Sequence, residues 1–267
     1  MRVTAMSKNQ ITEGVIWKQL LFFFFPILLG TLFQQLYNTA DTVVVGRFVG
    51  TQALAAVGGS TGQIVNLIVN FFVGLASGAT VIIARYYGAR DRIKLNNALH
   101  TAIALSIVGG IVTGIAGILL TPSLLKMMNT PADVIEGSTM YLRIYFAGII
   151  FVFVYNIGSG ILRAVGDSKR PLYFLIVCCF LNIFLDILFV VYLKLGVKGA
   201  AFATVISQAV SALLVILSLT KSVDIYRLRP NKIRFYKSLL IAIITIGLPA
   251  GLQSVMSVSY THLTLPT

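Results

Sequence analysis

A chain of 267 residues with 57% hydrophobic and only 11% charged positions, and a mean hydropathy of +0.91, is not built for water, since soluble domains carry roughly a quarter charged residues. The net charge of +13 suggests nucleic acid at first sight. The basic residues, however, are scattered over short loops between apolar runs and form no single basic face. Nucleic acid is therefore excluded as a partner, and lipid headgroups are the expected one.

A helix needs about 20 apolar residues to cross a hydrocarbon core. Seven runs meet that length, over 19–45, 53–84, 98–125, 140–162, 172–193, 199–219 and 239–259. None shows the short apolar and polar alternation of a membrane barrel, so the predicted class is an all-α integral membrane protein whose helices satisfy their own backbone groups. The first run is too long for a signal-peptide core and reads as an anchor.

Cytoplasmic loops retain Lys and Arg, and with the N-terminus inside, sixteen of the 21 basic residues lie on that side. They are Arg2, Lys8 and Lys18; Arg85, Arg90, Arg92 and Lys94; Arg163, Lys169 and Arg170; and six more from Lys221 to Lys237. Only Arg47, Lys126, Arg143, Lys194 and Lys198 fall outside.

The longest polar stretch, 221–237, contains Pro230. It divides a six-helix N-terminal lobe (1–220) from the first helix of a second lobe (238–259), and is read as a cytoplasmic linker. Phe25, Pro26, Gly30 and Gln34 in the first run are loosely echoed by Leu248, Pro249, Gly251 and Gln253 in the seventh, as repeated halves of a transporter would require. Residues 260–267, ending Leu-Pro-Thr, do not continue a membrane pattern and are expected to be a non-native tail on a truncated chain.

Carboxylates within a span cost roughly 2.5 to 3.5 kcal/mol each on insertion scales, and the spans hold two, Asp41 and Asp186. Gln34, Tyr37 and Asp41 stand at i, i+3 and i+7 and share a helix face; Asn182 and Asp186, at i and i+4, share another. Rise per residue puts Asp186 and Thr204 in the outer half of the bilayer. A site shared with Asp41 then needs the first helix to be tilted, bent or begun below the membrane, and Pro26 supplies a bend. The bland readings are a solvated Asp41 at a helix end, an Asp186 paired for packing, and Gln34, Asn156 and Asn182 bridging helices by hydrogen bonds. Gly74 and Gly78, like Gly110 and Gly114, read as close-packing positions. Cys178 and Cys179 read as small packing residues, and His100 with His262 has no metal-site spacing.

The pattern Pro26, Gln34, Tyr37, Asp41, Gly46-Arg47 is followed in order by five segments. They are Ala-Leu-Ala-Ala-Val-Gly-Gly (53–59), Gly-Leu-Ala-Ser-Gly-Ala (74–79), Ile-Leu-Arg-Ala-x-Gly-Asp (161–167), Leu-Asn-Ile-x-Leu-Asp (181–186) and Lys-Gly-Ala-Ala-x-Ala-Thr (198–204). The series resembles the N-terminal part of multidrug and toxic compound extrusion (MATE) transporters, DNA-damage-inducible branch. The resemblance implies twelve helices in two six-helix lobes around a V-shaped cavity, about seven of them present here. It implies export of small amphipathic, often cationic drug-like compounds against H+ or Na+ at the cell membrane, with no other cofactor and no enzymatic activity. It further implies that Asp41, Asn182, Asp186 and Thr204 hold the coupling cation, that Gln34, Tyr37 and Asn156 lie nearby for substrate, and that Pro26 marks a hinge in the first helix. The remainder of the C-terminal lobe is expected in the full-length protein.

Two rivals stand beside it. A lipid-linked oligosaccharide or peptidoglycan-precursor flippase of the same superfamily would be expected to carry mid-span Arg or Lys, and none is present. An intramembrane aspartyl protease would carry Tyr-Asp and Gly-x-Gly-Asp, whereas Ala40 and Leu185 precede the two acids.

Overall fold

The computed structural model describes residues 16–222 and 225–264. The bundle begins with α1 (Ile16–Phe48), α2 (Thr51–Gly58), α3 (Ser60–Gly88) and α4 (Arg92–Met127), followed by α5 (Ile135–Ala147), α6 (Ile149–Ala164), α7 (Lys169–Asp186), α8 (Val197–Lys221) and α9 (Lys237–Thr264). There is no strand among the described residues. Six helices are long and apolar enough to cross a membrane, and seven spans result when the bent pair α5 and α6 counts as one. Arg2, Lys8 and the last three residues of the tail lie outside the described residues, as does the His262 side chain.

Three expected runs have internal structure that apolar length does not reveal. The run 53–84 is α2 plus α3, broken at Gly59. The run 140–162 bends by 50° between α5 and α6. The bend falls at Gly148, where a Cβ would collide with Val205 of α8, so the span yields where a neighbouring helix crosses it. The run 172–193 changes winding after Asp186 into a π-helical turn, Ile187–Tyr192, closed by the bond from Leu193 N–H to Leu188 O at 2.9 Å. α1 continues through Pro26 as one 33-residue helix. It is therefore longer than the roughly 20 residues a bilayer requires, with Pro26 inside the continuous helix.

Apolar side chains face outward all round the bundle: Phe22 is 73% exposed, Leu119 71% and Phe180 63%. Water would tolerate such a surface poorly, whereas lipid is as apolar as these residues and gives helices little hydrophobic reason to associate. Close packing does that work instead. α4 presents Gly110, Gly114 and Gly117 to α5 and α6, where a Cβ at Gly114 would lie 2.8 Å from Phe146 O and one at Gly117 would enter the Phe146 ring. α3 and α9 make the most extensive helix pair in the bundle, because Gly74 and Gly78 lie against Gly251 and Gly247 backbone to backbone.

The basic turns after α3, α6 and α8 share one end of the bundle. Tyr87 meets Tyr226 edge to face, with centroids 6.4 Å apart, and Arg170 Nη1 donates to Ser218 Oγ at 3.3 Å. The acids lie toward the other end.

Candidate functional site

α1, α5, α7 and α8 converge on the two carboxyls. α7 packs broadly on both α1 and α8, and α5 on α8. Asp41, about two helical turns before the end of α1, is 7% exposed, and Asp186, the last residue of α7 before the π turn, is 0% exposed. Their carboxyls are electrostatic neighbours. Asn182, one turn earlier on α7, is fully buried beside them. Thr204 of α8 donates to Ala200 O at 3.0 Å, and its side chain neighbours Tyr37 of α1 and Tyr141 of α5.

Five buried polar atoms in this region have no hydrogen-bond partner: Oδ1 of Asp41, both carboxyl oxygens of Asp186, and both amide atoms of Asn182. Buried groups left unpaired cost about 1 to 3 kcal/mol each, more when charged. A cluster of them asks for a functional explanation. The ion pairs among the described residues are Lys94 with Asp91 and Arg170 with Asp167, both near the basic end. Neither buried acid has a basic partner among the described residues, and Asp41 is buried, not solvated.

The residues expected on the substrate side are placed differently. Gln34 is exposed and Tyr37 half-buried on α1. Asn156 is half-buried on α6, and its Nδ2 donates to Val152 O at 2.8 Å, its own helix, so it does not bridge helices by that bond. Pro26 is buried within α1, on the helix that packs against α7. Cys178 and Cys179 are free and buried, with Cys178 beside Ser211.

Sequence reasoning passed over two groups. Tyr141 and Tyr145, each 6% exposed, stack with centroids 6.3 Å apart and form the α5 wall of the site; their i, i+4 spacing within a span was the available signal. Ser207 and Ser211 continue Thr204 at i+3 and i+7 along α8, both buried with unpaired hydroxyls. That stripe has the same periodicity that identified the α1 face.

The donor set is oxygen-rich: two carboxyls, an amide oxygen and a hydroxyl. Hard cations are held by such donors, while among the described residues no group of three or more His, Cys, Asp or Glu could hold a metal ion.

Residues 26–188, which carry Asp41, Asn182 and Asp186, match the MatE family model. The chain belongs to the MatE family. It is 34% identical over 248 residues to the probable multidrug resistance protein YpnP of Bacillus subtilis (strain 168), covering 93% of this chain and 55% of that protein. Among solved structures, the outward-facing conformation of a multidrug resistance MATE family transporter of the MOP superfamily superposes with a TM-score of 0.88 at 31% identity, covering 97% of this chain and 57% of that one. An inward-facing conformation described in the same terms superposes at 0.78 and 31% identity, over 85% of this chain and 51% of that one. The chain thus spans about half the length of the relatives it matches. This MatE chain is a multi-pass, all-helical membrane protein.

Proposed function

We propose that the full-length protein is a secondary active multidrug exporter of the cell membrane, N-terminus cytoplasmic, exchanging amphipathic or cationic compounds for H+ or Na+. One observation carries the reading: two carboxyls within hydrogen-bonding reach of each other and a buried amide without a partner sit inside an apolar bundle, with no basic partner among the described residues. The multidrug resistance named for YpnP supports the substrate class, and the better match to the outward-facing structure supports an outward-open arrangement of these helices.

In that arrangement Asp41 and Asp186 receive the incoming ion, with Asn182 and Thr204 supplying neutral oxygens. Two like charges in a low dielectric repel strongly, so occupation by a proton or sodium ion removes the cost of holding them together. The carboxyls then cease to attract a cationic drug, α1 repacks against α7, and the drug leaves outward. The loaded lobe pair rocks inward and releases the ion. Each charge crossing 100 mV supplies roughly 2.3 kcal/mol, enough for a drug gradient of several tens-fold. The exposed Gln34 and half-buried Tyr37 and Asn156 line the substrate side of this path. The C-terminal lobe completes the cavity.

The test uses the full-length protein in vesicles, with sodium and pH gradients imposed separately. Asp41→Asn and Asp186→Asn should each abolish ion-driven efflux while insertion stays intact. Efflux at the unsubstituted rate in both variants removes the pair from the mechanism.

A further inference from the structure

Two neighbouring side chains of α4 make contacts that the carboxyl site does not use. His100 is 1% exposed, and its Nδ1 lies 2.7 Å from Asn96 O. In the tautomer whose Nδ1–H donates to that carbonyl, Nε2 accepts the backbone N–H of Arg229 at 3.1 Å. Arg229 O also lies 3.1 Å from Nε2, so a doubly protonated ring keeps a partner on the same residue. Thr101, fully buried, repeats the arrangement: Oγ1 donates to Asn97 O at 2.8 Å and accepts the N–H of Tyr236 at 3.2 Å. Each side chain is thus locked to its own helix and receives one backbone donor from the connection between α8 and α9. The two donors flank the single 3-10 turn Pro230–Lys232.

Sequence composition made this connection a charged linker, yet it is folded onto the lobe. Leu228 N–H donates to Leu219 O at 3.0 Å, and Tyr226 and Leu228, 5% and 2% exposed, join the core that contains Leu99 and Ile161. Immediately beyond it, α9 lies along α3 on the glycine seam described above, where Gly247 and Gly251 meet the backbone of Leu75 and Phe71 and Leu239 and Ile243 share a core with Ala79 and Ile83. One end of α9 is therefore pinned by directional bonds to α4, and the glycine seam carries the rest of its length against α3.

We propose that residues 225–236 form a strap that acts as the fixed pivot between the lobes. His100 and Thr101 are its positioning residues: they hold the first turn of α9 against α4, and α9 swings about that point along the seam when the lobes rearrange. The consequence for transport rests on the exporter reading; the geometry of the strap does not.

The test uses the full-length protein with its native cysteines replaced, spin-labelled at Ile93, which is 75% exposed, and at the exposed Lys237. Pulsed dipolar spectroscopy should give one narrow distance distribution whose mean moves by less than about 5 Å, one helical turn, between ion-free and ion-saturated protein. His100→Leu combined with Thr101→Val should broaden it, and exchange at the Arg229 and Tyr236 amides should accelerate at least tenfold. His100→Gln, which keeps an acceptor near the Nε2 position, should restore the narrow distribution. On the same variants drug turnover should fall while the apparent KM holds. A larger movement in the unsubstituted protein, or a distribution unchanged in the double variant, overturns the pivot. Should the double variant fail to insert, free exchange of the two amides in unsubstituted protein overturns it equally. Absence of ion-driven efflux by the unsubstituted full-length protein would sink the exporter reading and leave the distance measurement to decide the strap.

Discussion

The seam between α3 and α9 makes a quantitative demand on one atom. A Cβ built at Gly251 would lie 2.7 Å from Phe71 O, and one at Gly247 would lie 2.6 Å from Leu75 O, where ordinary contact begins at 3.4 Å. Gly251→Ala therefore forces α9 away from α3 by about 0.7 Å, and the obstacle is backbone that no rotamer change can clear. Overpacking of this kind costs about 1 to 3 kcal/mol, partly offset by the roughly 1 kcal/mol that alanine gains over glycine inside a helix. Gly58→Ala is the internal control, because a Cβ there meets nothing within 4 Å and the substitution should stabilise by about 0.4 to 1 kcal/mol. The two variants should differ by roughly 1 to 3 kcal/mol, with Gly251→Ala the less stable. Both are to be made in the full-length protein and compared by denaturant titration in detergent micelles, following the single tryptophan of this half, Trp17, or a fused fluorescent reporter of folding. If Gly251→Ala is as stable as Gly58→Ala, the backbone contact between α3 and α9 is not as described.

The remaining expectations concern the site and the core. Asn182→Leu removes two buried amide atoms that lack partners; melting should show a stability unchanged or raised by about 1 to 3 kcal/mol, while ion-driven efflux is lost, and a marked loss of stability would show that the amide is paired after all. If Na+ is the coupling ion, 100 times its dissociation constant should stabilise the unsubstituted protein by about 2.7 kcal/mol, an increment absent in Asp186→Asn; the same increment in that variant would place the ion elsewhere. Phe146→Ala empties a 1% exposed position against Gly117 and should cost about 3 to 5 kcal/mol, read as a lowered denaturation midpoint.

Much of the fold was legible because bilayer thickness fixes a length that sequence must supply. The boundaries of α4 and α8 follow the apolar runs within a few residues. The bend at Gly148 and the π turn after Asp186 were not legible, since both answer to contacts across helices: Val205 against Gly148 is a meeting of residues 57 positions apart. Gly74 and Gly78 were recognised as packing positions, yet their partners on α9 had to be found in three dimensions. Of the site, helical spacing alone grouped Asp41 with Tyr37, and Asp186 with Asn182. Tyr141 escaped because an aromatic near a span end reads equally well as an interfacial anchor. His100 was weighed only as a metal ligand, and its true partners, two backbone groups of Arg229, carry no signature in side-chain sequence.

The winding change after Asp186 bears on why the acids remain unpaired. An α-helix continued past Asp186 would turn each following side chain by about 100°, whereas the π turn Ile187–Tyr192 takes more residues per turn and shifts the later face of the helix relative to the earlier one. Val190 is thereby packed into the outer core with Val45 and Leu142, while Asn182 and Asp186 keep their common face toward α1 and α8. Single π turns concentrate at functional sites. Here the turn lets one span serve two surfaces, an apolar one that holds the bundle together and a polar one whose unmet hydrogen-bonding capacity the proposed ion site would use. A substitution that restored α-helical winding, such as deletion of one residue among 187–192, would rotate the outer segment by that same angle. The bundle would then lose either Val190 from its core or Asp186 from its site, and retained ion-driven efflux with undiminished stability would show that the turn serves neither.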